Sequence, residues 1–149
     1  MNGVPLHRML IVFPLGLLGT SVLFDLAWLV MGRSDLAMDA WWIMLAGVAG
    51  AAIASVTGAM TWKKIPIGTR ARKIGALHGI GNVVVTALFV ASLAVRRPDP
   101  AHPHVAALAL SALGVLLIVA TGWLGGKLVE PTHIPSPRYG GERVARSAG

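Results

Sequence analysis

His78 and Asn82 stand four residues apart in the stretch RKIGALHGIGN, just inside an apolar run. On a helix that spacing puts the imidazole and the carboxamide on one face. Three uses are open to such an imidazole. It can be an axial ligand to haem b or another metal, a proton-relay group, or a hydrogen-bond partner for a hydroxyl or carbonyl on a neighbouring helix. His7 follows a leucine as His78 does, and is a second, weaker candidate ligand. Asp25 is the other ionisable group well inside an apolar run, and Trp28 shares its face one turn on. An ionisable group at membrane depth is a functional candidate by default. Asp25 reads as a relay or counter-ion for a proton or cation, or as a carboxyl held by hydroxyls such as Ser92 or Ser111. His102 and His104 flank Pro103 with Asp99 nearby, but a metal site needs more ligands than this, so they read as solvated loop residues. Glycine-rich phosphate loops, Gly-x-Ser-x-Gly and His-Glu-x-x-His are all missing from the sequence. Cysteine is absent too, which removes thiolate ligands and nucleophiles. The chain therefore reads as a non-enzymatic module.

The elements that position these residues follow from composition. Of 149 residues 55% are hydrophobic and only 13% charged. The mean hydropathy is +0.71. That leaves too little polar surface to cover a soluble globule. Four apolar runs, about 9–31, 41–62, 74–95 and 104–125, are each long enough to cross roughly 30 Å of hydrocarbon as a helix. The first is too long for the apolar region of a signal peptide and reads as a retained span. Short links between the runs, GRSDLAMDA, KKIPIGTRARK and RRPDPAHPH, favour antiparallel neighbours. The expected fold is thus an all-α bundle of four transmembrane helices over residues 1–129. A basic, proline-containing tail, 130–149, reads as disordered. Gly75, Gly79, Gly122, Gly125 and Gly126 are read as helix-packing positions.

The net charge is +7 and the pI about 11.2. The cations flank the apolar runs and lack the interleaved aromatics of a base-stacking surface, which argues against nucleic acid. Lys63, Lys64, Arg70, Arg72 and Lys73 crowd the middle link, with Arg8 and Lys127 at the same side. Arg33, Arg96 and Arg97 on the other side are diluted by Asp35, Asp39 and Asp99. The positive-inside rule then places both termini and the middle link in the cytoplasm. Trp41 and Trp42 would mark the outer interface, Trp62 and Trp123 the inner one. The middle link is also a candidate contact for anionic lipid headgroups. An internal echo runs through the chain at an offset of 64 residues. Arg33-x-Asp35-x-Ala37 recurs as Arg97-x-Asp99-x-Ala101, Gly50 as Gly114, and Thr57-Gly58 as Thr121-Gly122. This suggests two helical hairpins in parallel orientation.

Several of these stretches together resemble a family of small bacterial four-helix membrane proteins, domain of unknown function 2231. The matching residues are His7, Phe13 and Pro14; Phe24-Asp25; Gly68-Thr69-x-Ala71-Arg72; Leu77-His78 with Asn82; and Gly122-Trp123-x-Gly125-Gly126. They cover roughly residues 6–129. Four residues depart from the family pattern: Arg8 stands for a proline, Val12 for a second histidine, and Thr61 and Lys127 where the family often has an acid. The resemblance implies a protein of the bacterial cytoplasmic membrane with no assigned activity. Some relatives are joined to iron–sulfur domains. The expected function is a structural, interaction or small-ligand-binding module with its polar sites at His78, Asn82 and His7 and at Asp25. Two alternatives stand beside it: a haem-binding, b-type cytochrome-like redox subunit, and a proton or ion pathway through Asp25. The expected partners are the bilayer, a second copy, or a redox protein.

Overall fold

The computed structural model describes residues 6–129, and the side-chain surroundings of residues 12–122 within them. The tail 130–149 and the side chains of His7 and Trp123, with the surroundings of Gly125 and Gly126, lie outside the described residues. Four helices follow one another: α1 Leu6–Met31, α2 Ser34–Lys63, α3 Arg70–Arg96 and α4 Val105–Val129. Each contains an apolar stretch long enough to cross a bilayer, and over α1 and α4 these run Val12–Met31 and Val105–Gly122. A helix is the natural form for such stretches, because it satisfies every backbone group without water.

The links show how little chain the turns need. Gly32 adopts φ 66°, and its N–H bonds to the Trp28 carbonyl at 2.8 Å, which stops α1. Arg33 is extended and α2 begins at Ser34. The stretch expected to be a nine-residue link is therefore mostly helix. Asp35 in the first turn suits the positive helix end. Ala37 and Ala40, both fully buried, let the hairpin close early. At the α2–α3 link Gly68 has φ 85°, and the Thr69 hydroxyl accepts from the Arg72 N–H at 3.3 Å as an N-cap.

The helices form a ring in chain order. Packing is closest within the hairpins α1–α2 and α3–α4, looser between α2 and α3, and slightest between α1 and α4. α1 and α3 therefore face each other across the ring. Shifting α1 by 64 residues lays it on 70–95, within a residue of α3. The echoed glycines do the same work in both hairpins. A Cβ on Gly50 would lie 3.3 Å from Pro14 of α1, and one on Gly114 would lie 2.7 Å from Phe89 of α3. Gly47, not singled out in the sequence, admits Leu18 in the same way, at 2.8 Å. Leu18, Met44, Val85 and Phe89 make the core between the hairpins. Leu26, Leu29, Val30, Ile53, Leu116 and Val119 face outward and exposed, which is the expected state of a lipid-facing surface.

Candidate functional site

Two polar sites lie at opposite ends of the bundle. The hairpin end carries the α1–α2 and α3–α4 links; the terminal end carries the start of α1, the end of α4 and the α2–α3 link.

At the hairpin end, Arg96 donates from Nη1 and Nη2 to the two carboxylate oxygens of Asp25, each at 2.6 Å. Arg96 Nε donates to the Ser92 hydroxyl at 3.1 Å, and that hydroxyl donates to the Ala107 carbonyl at 2.7 Å. Ser111 accepts from Arg96 Nη2 at 3.2 Å and lies 3.4 Å from Asp25. Asp25, Ser92, Arg96 and Ser111 are all buried. The fork-on-carboxylate geometry is the strongest side-chain pairing available. It ties α1 to α3 across the ring, with α4 joining through Ser111 and Ala107. Ser92 and Ser111, the hydroxyls expected near Asp25, are indeed in the network.

Arg96, however, reads in the sequence as a flanking cation of the outer link. The structure overturns that reading. A helical side chain leans back toward its own N-terminus, so an arginine in the last turn of α3 reaches inward, past Ser92 four residues earlier. The signal that could have found it is the unpaired acid itself: a carboxylate at depth calls for a cation on another helix. By contrast Arg33 stays at the surface, paired with Asp35. That hydrogen bond, with the charge of Asp35, raises the Arg33 guanidinium above its ordinary value.

At the terminal end a cavity of about 640 Å³ opens between α2 and α3, completed by Pro14, Leu15 and Leu18 of α1 and Ile118 of α4. Its size is within the ~300–1,000 Å³ range of small-molecule sites. The lining is mostly apolar. His78 and Asn82 line it with Thr61 and Trp62. Asn82 Nδ2 stands 3.1 Å from His78 Nε2. In this orientation the amide donates and Nε2 accepts, leaving the proton on Nδ1. The hydroxyls of Ser55, Thr61 and Thr86, which also line it, donate within their own helices, to the Ala51, Thr57 and Asn82 carbonyls. His78 is exposed, not packed among neighbours.

Trp62 and Arg72 close the end of this cavity. Trp62 Nε1 donates to the Arg72 carbonyl at 3.0 Å, and the guanidinium carbon lies 4.3 Å from the indole centroid. Arg72 Nη1 also donates to the Ile65 carbonyl at 2.6 Å. Gly75 makes room, since a Cβ there would sit 2.9 Å from Trp62. Gly79 and Gly122 meet nothing within 4 Å among the described residues. Nor, among those residues, do three or more metal-ligating groups come together.

Fold and site together define a class: a multi-pass helical membrane protein with a dry ion pair at one end and a lined cavity at the other. The chain belongs to the family described as "Predicted membrane protein (DUF2231)", whose model matches residues 3–135. No curated protein and no solved structure matches it.

Proposed function

We propose that this protein is a non-enzymatic ligand-binding module of the bacterial cytoplasmic membrane, with both termini cytoplasmic. Its terminal-end cavity holds a small, mostly apolar amphiphile, and His78 and Asn82 anchor the polar part. The cavity itself carries this reading, because His78 and Asn82 stand together, in hydrogen-bond contact, on an otherwise mostly apolar wall. Charge supports the orientation. Lys63, Lys64, Arg70, Arg72 and Lys73 surround the α2–α3 link, while at the hairpin end Arg96 is neutralised by Asp25 and Arg33 by Asp35. Only Arg97, two residues from Asp99, remains there.

Photolabelling of the detergent-solubilised protein with an amphiphilic diazirine tests the reading. Label should concentrate on cavity walls such as Ser55 and Ile80. Replacing His78 and Asn82 by alanine should lower it about fivefold, the ratio for one lost hydrogen bond of ~1 kcal/mol. Label spread evenly over outward residues such as Leu29 and Val119 would sink the idea.

A further inference from the structure

We propose that the amphiphile is an anionic phospholipid of the surrounding bilayer. One acyl chain enters between α2 and α3, the glycerol ester lies against His78 and Asn82, and the phosphate sits among Lys63, Lys64, Arg70 and Lys73. This rests on the reading of the cavity as a ligand site and names its occupant.

Three observations point to a lipid. The cavity opens sideways, toward the bilayer. Ser55 and Ala59 on α2 are exposed on its walls, as are Ile80 and Val83 on α3, these two at 62% and 63%. A ligand can therefore enter from the membrane without crossing the basic link. Polar groups line the cavity at several depths, Thr86, Asn82 and Ser55 further in and Thr61 and His78 nearer the link, and cations stand just beyond its closed end. From His78 outward the order is that of a phospholipid's ester and phosphate. His78 lies five residues from Lys73, or roughly 8 Å along the helix, so ester and phosphate partners are set at different depths. An ester carbonyl needs a donor, and when Asn82 donates to Nε2 both His78 Nδ1 and the second N–H of Asn82 Nδ2 are left for it.

Charge selects the headgroup. Arg72 is committed to Trp62 and the Ile65 carbonyl. Lys63, Lys64, Arg70 and Lys73 are exposed, without an ion-pair partner among the described residues. The link carries no acid to oppose them. Such a cluster attracts anionic over zwitterionic lipid.

Native mass spectrometry of the full chain decides the matter, using phosphatidylglycerol and phosphatidylcholine with identical chains. The wild type should retain one phosphatidylglycerol, in preference to phosphatidylcholine by about tenfold. Ala51→Phe and Ala76→Phe fill the cavity from opposite walls, and each should abolish the retained lipid. Changing Lys63, Lys64, Arg70 and Lys73 together to glutamine touches no packed residue. It should bring the two lipids level while a bound lipid persists. Equal retention of both lipids by the wild type would overturn the proposal, as would phosphatidylglycerol that survives both fillers. Loss of a dimer peak on filling would instead give the cavity to a second copy and overturn it equally. Diazirine labelling separates this failure from failure of the underlying reading. Label confined to the cavity without headgroup preference removes only the phospholipid, whereas label indifferent to the fillers removes the ligand site itself.

Discussion

In Asp25→Ala the Arg96 guanidinium would stay buried at the hairpin end with two hydroxyls, Ser92 at 3.1 Å and Ser111 at 3.2 Å, and no counter-charge. The two bonds lost are the 2.6 Å pair. Removing one partner of a buried ion pair typically costs about 3–5 kcal/mol, because it strands the other charge. An interhelical hydrogen bond in a membrane contributes only ~0.6 kcal/mol on average, so the stranded charge dominates. Arg96→Met strands Asp25 instead, with Ser111 at 3.4 Å as its remaining neighbour, and should cost a similar amount. Asp25→Ala combined with Arg96→Met leaves no charge behind. Apolar replacement of a buried pair is often close to neutral, so the double variant should sit well above either single. The assay is equilibrium unfolding in mixed micelles, followed by helicity, as a double-mutant cycle. A single-variant cost below about 1 kcal/mol would refute the clamp. So would a double variant whose cost equals the sum of the singles.

Three further outcomes follow from contacts already described. Gly114→Ala drives a Cβ to 2.7 Å from Phe89, which is fully buried and cannot move aside. It should cost ~1–3 kcal/mol in the same unfolding assay, whereas Gly79→Ala, with nothing within 4 Å, should gain ~0.5–1 kcal/mol. Arg72→Lys keeps the charge but loses the guanidinium over Trp62 and its Nη1 bond to the Ile65 carbonyl; tryptophan emission should shift, and proteolysis of the α2–α3 link should quicken. Because the chain lacks cysteine, single cysteines report topology directly: in intact spheroplasts Pro98→Cys should react with an impermeant maleimide and Ile67→Cys should not, the reverse pattern being fatal to the proposed orientation.

The number of helices and their antiparallel order were legible because lipid imposes a simple requirement: about twenty apolar residues, no unsatisfied backbone. The echo at 64 residues falls on glycines that each admit the preceding helix, Gly50 against Pro14 and Gly114 against Phe89. Helix ends were harder to see. Asp35 and Asp39 look like link residues by polarity, yet Ala37 between them and Ala40 just after are buried and helical. Asp25 stood out as a polar residue at depth, and His78 with Asn82 as a pair. Arg96 did not, because a cation beside Arg97 and Pro98 has the local signature of a flank. Only the inward lean of the last turn of α3, and the helix opposite it, give it another role.

The pairing of Asp25 with Arg96 breaks the symmetry that the repeat would otherwise impose. In the 64-residue register Asp25 falls on Phe89 and Arg96 on Gly32, so the clamp joins the hairpins once, at one end. The apolar core at Leu18, Met44, Val85 and Phe89 holds their middles. Beyond it, toward the terminal end, the α2–α3 contact is carried by Trp62 and Arg72 beside the link, and the walls between stand apart as the cavity. A bundle anchored at its hairpin end can admit and release a chain-like ligand at the other without disturbing its core. Loss of the clamp should therefore weaken stability far more than it weakens ligand retention, whereas filling at Ala51 or Ala76 should do the opposite.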